Sequence, residues 1–263
     1  MSLRLYVDSP LSAGLEFALP DDAARHVQVR RLQPGDALRL FDGAGGEWRA
    51  LVTRMGKRAV DVRVEAHEAV DRELGVDLEI ALGMPTNERM DALIEKATEL
   101  GVAAIQPLQT DRSVLRLDGE RAARRVAHWQ AVAVGASEQS GRTRVPRVLP
   151  VLGLAAWLAS DVVARSAGDY AARFVMSTGA APRLGEVVGA RGPDTGTGMG
   201  TDAGVAGARP RWLALSGPEG GLAPDEEAAA VARGFTRLSL GRLVLRADTA
   251  PLAWLAQMAL LRD

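Results

Sequence analysis

A change of hydrophobic period near Gly75 divides this sequence into two parts that are expected to fold differently. Before it, Val60, Val62 and Val64 alternate with charged residues, which is the period-two pattern of a half-buried strand. After it, apolar runs typical of strands alternate with segments that carry apolar residues at helical spacing. Such alternation indicates a mostly parallel sheet covered by helices. The sequence therefore predicts a small β-barrel up to about Glu68, followed by an α/β domain.

The α/β part contains five predicted strands and five predicted helices. The strands are expected at 76–84, 102–109, 172–177, 211–216 and 235–240. The first helix carries an apolar face from Met90 to Leu100 and ends at Gly101, a typical C-terminal cap. The other helices are expected to start near Asp118 and to span 152–160, 224–233 and 248–261.

Two segments of this part pass from a strand through a glycine turn directly into a helix. The first, LALSGPEGGLAPDEE, runs from Leu213 to Glu227, and the second, LSLGRLVLRADTAPLAWLAQMALL, runs from Leu238 to Leu261. Parallel strands present their carboxyl ends at one sheet edge, where glycine turns bring backbone close to a ligand. We therefore expect both turns to line one pocket. A third glycine-rich segment, FDGAGGEW at 41–48, superficially resembles a nucleotide loop but is interpreted as a hairpin turn, because a strand and not a helix follows it.

Composition excludes several kinds of chemistry. The chain of 263 residues has no cysteine, which excludes disulfides, thiolate metal sites and a Cys nucleophile. Its three histidines lie far apart in the sequence, so no metal site is expected. No apolar run reaches the roughly 20 residues of a membrane span, and no secretory signal is present, so a cytoplasmic protein without a membrane partner is expected.

Net charge is −1, which argues against a surface that is basic throughout but allows a local basic patch. Arg142, Arg144 and Arg147 lie close together in ASEQSGRTRVPRV. This segment is either a solvated loop or a contact for an anionic polymer. Residues 189–210 are rich in glycine and lack a regular apolar face, so we interpret them as a flexible surface insertion.

Four ordered segments carry a resemblance to a known family: ERMDALIEKATELGV, ASEQSGRTRVP, SGPEGGLAPDE and LGRLVLRADTA, behind HVQVRRLQPGD in the barrel. Together they resemble the bacterial 16S ribosomal RNA uridine-N3 methyltransferases of the SPOUT superfamily. The resemblance covers nearly the whole chain except the glycine-rich insertion. It implies a PUA-like RNA-binding β-barrel at 1–72 and a SPOUT α/β methyltransferase domain with a trefoil knot at 73–263. It further implies S-adenosylmethionine (SAM) as cofactor, 16S ribosomal RNA of the small (30S) subunit as substrate, and a homodimer.

By the same resemblance, two loops and the end of one strand become the cofactor site. The implied cofactor-binding residues are Ser177, Thr178, Ser216, Gly217, Pro218, Glu219, Gly220, Gly221, Leu240, Gly241, Leu243, Val244 and Leu245. The residues assigned to RNA are Arg25, Arg30, Arg31, Arg142 and Arg144.

Arg246 is the candidate catalytic residue, because a cationic donor near uridine O2 or O4 would stabilise the developing anion. The alternative is a structural ion pair of Arg246 with Glu219 or Asp248. The chain departs from the family where Ala247-Asp248 replaces the usual Thr-Glu and where Ala223 replaces Ser or Thr.

Attack by a ring nitrogen needs no covalent enzyme intermediate, in agreement with the absence of cysteine. Glu138, Glu219, Asp248 and bulk water remain open as proton acceptors. Two other functions also remain open at this point. One is a SPOUT methyltransferase that acts on another RNA such as transfer RNA, at a ribose hydroxyl. The other is a non-catalytic RNA-binding protein of ribosome assembly.

Overall fold

The computed structural model describes residues 2–57, 59–160, 163, 169–189 and 209–261. The chain divides into two compact units. The first contains Met1–Glu73 and Val134–Val145, and the second contains Leu74–Ala133 and Pro146–Asp263. Residues 134–145 thus group with the N-terminal unit, whereas the predicted domain division, 1–72 and 73–263, places them in the second domain. Most of the predicted glycine-rich insertion lies outside the described residues.

The first unit is built on a five-stranded sheet with one helix. Its hydrogen-bonded strand order is β1-β3-β4-β5-β2, with β1 parallel to β3 and the other neighbours antiparallel. The elements are β1 (Arg4–Tyr6), β2 (Glu16–Ala18), α1 (Asp21–Val29), β3 (Ala37–Phe41), β4 (Glu47–Met55) and β5 (Val60–Glu68). The segment 41–48 forms the turn of the β3–β4 hairpin, as predicted, with φ positive at Gly43, Gly45 and Gly46.

The core of the first unit confirms the predicted alternation. Val60, Val62 and Val64 are at most 1% exposed, and the charged residues between them face outward. Helix α1 was missed by the sequence pattern. Its signals are an acidic first turn and three buried apolar residues at helical spacing, Ala23, Ala24 and Val27. These side chains close the core beneath the sheet.

The second unit is built on a seven-stranded sheet in which every described pairing is parallel. The strand order is β12-β10-β11-β6-β7-β8, and β9 also pairs with β7. The strands are β6 (Asp77–Gly83), β7 (Val102–Gln109), β8 (Arg147–Val148), β9 (Leu152–Gly153), β10 (Tyr170–Met176), β11 (Arg211–Ser216) and β12 (Thr236–Leu238). The helices are α2 (Asn87–Glu99), α3 (Gly119–Ser140), α4 (Leu154–Ala159), α5 (Leu184–Gly189), α6 (Pro224–Ala232) and α7 (Thr249–Leu260), of which α3 belongs to this unit only up to Ala133.

The parallel arrangement places the loops after β6, β7, β10, β11 and β12 at one edge of the sheet. Sheet and helices pack through apolar side chains that the sequence pattern identified, such as Met90, Leu93 and Ile94 of α2. Trp254, Leu255 and Met258 bury one side of α7. None of the helices in the described ranges has the length and hydropathy to cross a bilayer. The trefoil knot implied by the resemblance stays a prediction.

A buried carboxylate organises the polar interior of the first unit. The side chain of Glu47 is 1% exposed, and it accepts hydrogen bonds from Arg4 at 2.8 Å, Arg72 at 2.7 Å and Arg39 at 3.2 Å. Burial by itself would raise the pKa of Glu47, but the hydrogen bonds and charges of Arg72 and Arg4 outweigh it and hold the pKa below its usual value. The carboxylate is therefore ionised in the folded protein.

Arg4 also binds the segment 134–145, which belongs to the first unit although it lies far from it in the sequence. Its guanidinium donates to the carbonyl oxygens of Ser137 at 3.0 Å, Glu138 at 2.8 Å and Arg142 at 2.9 Å. The backbone N–H of Tyr6 donates to Glu138 Oε1 at 2.9 Å. Burial raises the pKa of Glu138, although this hydrogen bond opposes the shift. One arginine thus satisfies carbonyl groups at the end of α3, which need partners outside the helix.

We expect Glu47→Gln to lower the free energy of unfolding by about 3 kcal/mol near pH 7, because it leaves the mostly buried guanidinium of Arg4 without its carboxylate. The folded-state pKa lies below the unfolded value of about 4.5. The stabilisation is therefore complete above that value and is lost as pH falls through the folded pKa. Urea unfolding at a series of pH values checks this: the gap between wild type and Glu47→Gln should narrow at acidic pH. Glu16→Gln, at an exposed position, should change little.

Candidate functional site

The predicted cofactor residues surround one open cavity of about 650 Å³ at the carboxyl edge of the parallel sheet. The ends of β10, β11 and β12 form its floor, and two loops, 217–223 and 239–248, form its walls. All thirteen predicted cofactor-binding residues line it: Ser177, Thr178, Ser216, Gly217, Pro218, Glu219, Gly220, Gly221, Leu240, Gly241, Leu243, Val244 and Leu245. Arg246 lines it as well. The sheet thus brings together residues that lie up to 69 positions apart in the sequence.

The turn after β11 is too tight for a side chain at Gly217. A Cβ atom there would stand 2.5 Å from the backbone nitrogen of Leu222 and 2.6 Å from the carbonyl carbon of Gly221. Gly221 adopts φ +69°, a conformation that L residues rarely adopt, and its N–H donates to the carbonyl of Pro218 at 2.8 Å. At Gly220 the three atoms nearest to an added Cβ all belong to the side chain of Arg112, the first at 3.1 Å. The closest backbone approach is therefore at Gly217.

Glu219 fastens this turn to the start of α2. Its Oε1 accepts the backbone N–H of Thr86 at 3.1 Å and lies 3.7 Å from Arg89 Nη1. Thr86 is the N-cap residue of α2, so the carboxylate satisfies a donor at the start of that helix. Gly83 at the end of β6 lets Pro218 approach, since a Cβ there would stand 2.5 Å from its ring. These contacts give Glu219 a structural role.

The helix start after the turn lacks a capping hydroxyl. Ala223 occupies the N-cap of α6 and has no side-chain acceptor. Glu226, three residues after the N-cap, supplies the other half of a capping box. Its Oε2 accepts the N–H of Ala223 at 2.8 Å, and its Oε1 accepts the N–H of Asp111 at 2.8 Å. The replacement of Ser or Thr at residue 223 is thus partly compensated.

The side of the cavity next to β10 is polar. Ser177 Oγ donates to Glu227 Oε1 at 3.1 Å and accepts the N–H of Gly179 at 3.1 Å. The same Glu227 oxygen accepts from Arg237 Nε at 2.6 Å. Glu227 therefore presents a carboxylate to the cavity whose charge is balanced by an arginine of β12.

The loop after β12 is exposed along much of its length. It turns at Gly241, where φ is +132°, and the side chains of Leu243 and Val244 are each 81% exposed. Arg246 is exposed into the cavity, and within the described part of the chain it forms no ion pair with Glu219 or Asp248. The ion pair that was the alternative role for Arg246 is therefore not formed among the described residues.

Two buried oxygen atoms near the cavity lack hydrogen-bond partners among the residues that the structure describes. They are Ser216 Oγ at the end of β11 and Asp248 Oδ1 at the start of α7. Buried polar atoms of folded proteins are nearly always satisfied by protein, water or ligand. An unsatisfied hydroxyl in the wall of a cavity favours a polar ligand there.

The arginines predicted to contact RNA fall into two groups. Arg25, Arg30, Arg31 and Arg144 are exposed in the first unit. Arg142 is not: its side chain is 8% exposed and forms an ion pair with Glu73 at 2.5 Å, with a second contact from Nε at 3.0 Å. A buried guanidinium held by a carboxylate does not reach a phosphate in solvent. The geometry corrects the prediction for Arg142 and gives this residue a role in the structure of its loop.

Sequence reasoning missed Arg89, Arg112, Arg242 and Glu227, which also line the cavity. Arg242 could have been found, because it lies within the second glycine turn. Arg89 and Arg112 follow β6 and β7, whose carboxyl ends share the sheet edge with β11. Groups of His, Cys, Asp or Glu suited to a metal ion do not occur among the described residues.

Comparison with family models places both units in RNA-modifying proteins. Residues 72–259 match the model described as RNA methyltransferase domain, and residues 19–65 match the one described as RNA methyltransferase PUA domain. The fold is thus a PUA-like domain followed by a SPOUT α/β methyltransferase domain, which confirms the predicted fold class. The chain is therefore an RNA methyltransferase by class.

Curated relatives and solved structures narrow this class. The chain is 31% identical over 251 residues to ribosomal RNA small subunit methyltransferase E of Mycobacterium bovis, covering 95% of this chain and 88% of the relative. The enzyme of that name from Neisseria gonorrhoeae, solved with S-adenosylmethionine bound, is 32% identical with a TM-score of 0.83, covering 99% of this chain and 98% of the other. A SAM-bound methyltransferase of Legionella pneumophila has a TM-score of 0.84 at 27% identity, covering 99% and 98%. The chain belongs to the ribosomal RNA small subunit methyltransferase E family.

The crowding at the glycine turn predicts an order of substitution effects. Gly217→Ala should lower the free energy of unfolding of the second unit by about 1–3 kcal/mol, since the added methyl group displaces backbone. Gly220→Ala should cost less, because the nearest atom, Arg112 Cβ, would stand 3.1 Å away and has to shift by only a few tenths of an ångström. Gly185→Ala, at an exposed position of α5 with open space around it, is the control and should not destabilise the second unit. Scanning calorimetry checks the order; equal melting temperatures for Gly217→Ala and Gly185→Ala would contradict it.

Proposed function

We propose that this chain uses SAM to methylate N3 of a specific uridine in 16S ribosomal RNA of the small subunit, in the cytoplasm. The observation that carries the proposal is the convergence of two glycine turns on one cavity, in a chain of this family. The member from Neisseria gonorrhoeae, 32% identical to this chain, binds SAM. Residues of the two turns are the proposed cofactor contacts.

The cavity suits a cofactor of this size and polarity. Its volume of about 650 Å³ lies in the range of small-molecule sites. The three glycines Gly217, Gly220 and Gly221 leave the backbone of this turn largely uncovered and allow a flat heterocycle to approach closely. Ser216 Oγ is positioned to hydrogen bond a polar group of the ligand, because it is buried and unsatisfied within the described part of the chain. Thr178 and Leu240 to Leu245 complete the proposed contacts.

Arg246 is the proposed catalytic residue. Bound SAM would supply an electrophilic methyl group and leave as S-adenosylhomocysteine when its bond from sulfur to that methyl carbon breaks. The N3 atom of uridine first loses its proton to a carboxylate or to water, and the resulting negative charge spreads to O2 and O4 of the base. A guanidinium from the cavity wall stabilises this anion by hydrogen bonding until N3 takes the methyl group. The guanidinium is available for this role because no described carboxylate pairs with it. Alignment of N3 with the methyl carbon lowers the barrier further.

The exposed arginines of the first unit are the proposed RNA contacts. Arg25 and Arg30 lie on and just after α1, and Arg31 follows in the left-handed region with φ 57°. Arg144 is exposed in the loop that contains the buried Arg142. Such side chains bind phosphate groups and position an RNA without reading its sequence. They would hold the ribosomal RNA while the second unit acts on the base.

A homodimer is also proposed. Leu243 and Val244 form an apolar pair that is 81% exposed on a loop lining the cavity. Exposed apolar surface of this kind favours a protein contact. A second copy of the chain would remove these side chains from water and would stiffen the loop that carries Arg246.

The position of the methyl group tests the proposed reaction. In a strain that lacks this protein, mass spectrometry of 16S ribosomal RNA should show one uridine base without its N3 methyl group. Incubation of the unmodified small subunits with purified protein and SAM should restore it. A missing mark on a ribose hydroxyl or on transfer RNA would overturn the choice of substrate. An RNA that is fully modified without the protein would favour a non-catalytic role.

Substitution of Arg246 tests the catalytic assignment. Arg246→Ala should slow single-turnover methylation of small subunits at saturating SAM by about a hundredfold, as expected for loss of a donor worth roughly 3 kcal/mol to the transition state. Arg246→Lys should be intermediate, because lysine keeps the charge but lacks the planar pair of donors. Arg233→Ala, at an exposed position that ends α6, is the control. A rate for Arg246→Ala within about threefold of wild type would remove the assignment.

A further inference from the structure

The loop after β7, residues 110–118, is held in one conformation by its own polar groups. The hydroxyl groups of Thr110 and Ser113, both buried, lie 3.0 Å apart, and Ser113 Oγ accepts the N–H of Thr110 at 2.9 Å. Gln109 donates to the carbonyl of Leu117 at 2.9 Å and accepts its N–H at 3.3 Å. These contacts close the loop on itself. It therefore provides a fixed support beside the cavity.

Arg112 extends from this support to the glycine turn. Its Nη1 donates to the carbonyl of Gly220 at 2.9 Å and to the carbonyl of Leu222 at 3.2 Å. These two carbonyls flank Gly221, the residue with φ +69°. The aliphatic part of Arg112 lies against Gly220, where an added Cβ would be 3.1 Å from the arginine Cβ. A charged donor thus spans the most irregular part of the turn, and such hydrogen bonds are stronger than neutral ones.

The same loop holds the far end of the turn through Asp111. Its backbone N–H donates to Glu226 Oε1 at 2.8 Å, while Glu226 Oε2 accepts the N–H of Ala223 at 2.8 Å. The glycine turn is therefore restrained at two points by one neighbouring loop. Because a turn so rich in glycine has many conformations to lose, such restraints reduce the entropy cost of ligand binding.

We propose that Arg112 is a positioning residue, which holds Gly220 to Leu222 in the conformation that receives the cofactor. Its action passes through the two backbone carbonyls and not through the reacting atoms. The part of the proposal that concerns SAM rests on the proposed function. The part that concerns the conformation of the turn stands on the contacts alone.

Hydrogen–deuterium exchange of the ligand-free protein tests the conformational part. Arg112→Met keeps the apolar stem and removes the donors, so amide exchange across 217–223 should accelerate about tenfold or more. Arg124→Met, which removes an exposed arginine that pairs only with Glu120 among the described contacts, should leave it unchanged. Arg112→Lys serves as the second variant if Arg112→Met does not fold, and it should fall between wild type and Arg112→Met. Unchanged exchange across the turn in folded Arg112 variants would overturn the inference.

Calorimetric titration with SAM tests the cofactor part. Arg112→Met should weaken SAM binding about tenfold to a hundredfold, as expected for two charge-assisted hydrogen bonds. Single-turnover methylation at saturating SAM should stay within about threefold of wild type. Normal affinity with a slow reaction would overturn the positioning role. Absence of SAM binding in wild type would instead refute the proposed function, and the exchange experiment would still decide the role of Arg112 in the turn.

Discussion

Close approach of backbone to backbone at Gly217 determines much of what the second unit can do. The turn folds back until a Cβ on this residue would stand 2.5 Å from the nitrogen of Leu222, so this part of the cavity wall is largely main chain. Main-chain walls are narrow and offer fixed polar groups, which suits recognition of a flat ligand. The glycines of this turn contribute no side-chain packing. The conformation of the turn therefore depends on Pro218 against Gly83, on Glu219 at the start of α2, and on Arg112.

The carboxylates around the cavity have hydrogen-bond partners, whereas two of its arginines form no ion pair among the described residues. The carboxylates Glu219, Glu226 and Glu227 are occupied by backbone donors or by arginines, as far as the described contacts show. Arg242 and Arg246 have no such ion pairs among the described residues. The net charge of −1 is therefore a poor guide to this surface. Local excess of unpaired guanidinium groups favours an anionic partner, in agreement with the proposed RNA substrate.

In the first unit, by contrast, two arginines are paired with buried carboxylates. Glu47 and Glu73 are buried carboxylates, and the guanidinium groups of Arg4 and Arg142 are drawn inward to satisfy them. Removal of either partner would leave a charge in a medium that solvates it poorly. Arg142 and Arg144 are two residues apart in one motif, yet one is structural and the other is available to solvent. Motif membership alone does not separate these roles.

The sequence alone determined five of the seven strands of the parallel sheet, five of its helices and the meeting of two glycine turns, because hydrophobic period and glycine placement are local properties. The two-residue strands β8 and β9 and the short helices α1 and α5 left weaker local signals and were missed. Only the tertiary structure decided which charged groups are paired, since pairing depends on side chains far apart in the chain. Arg142 turned inward to Glu73, Arg246 stayed without a described carboxylate, and Arg112 reached the carbonyl of Gly220 across 108 positions. Arg246 and Arg112 lie at the edge of a sheet whose strand order no local pattern specifies.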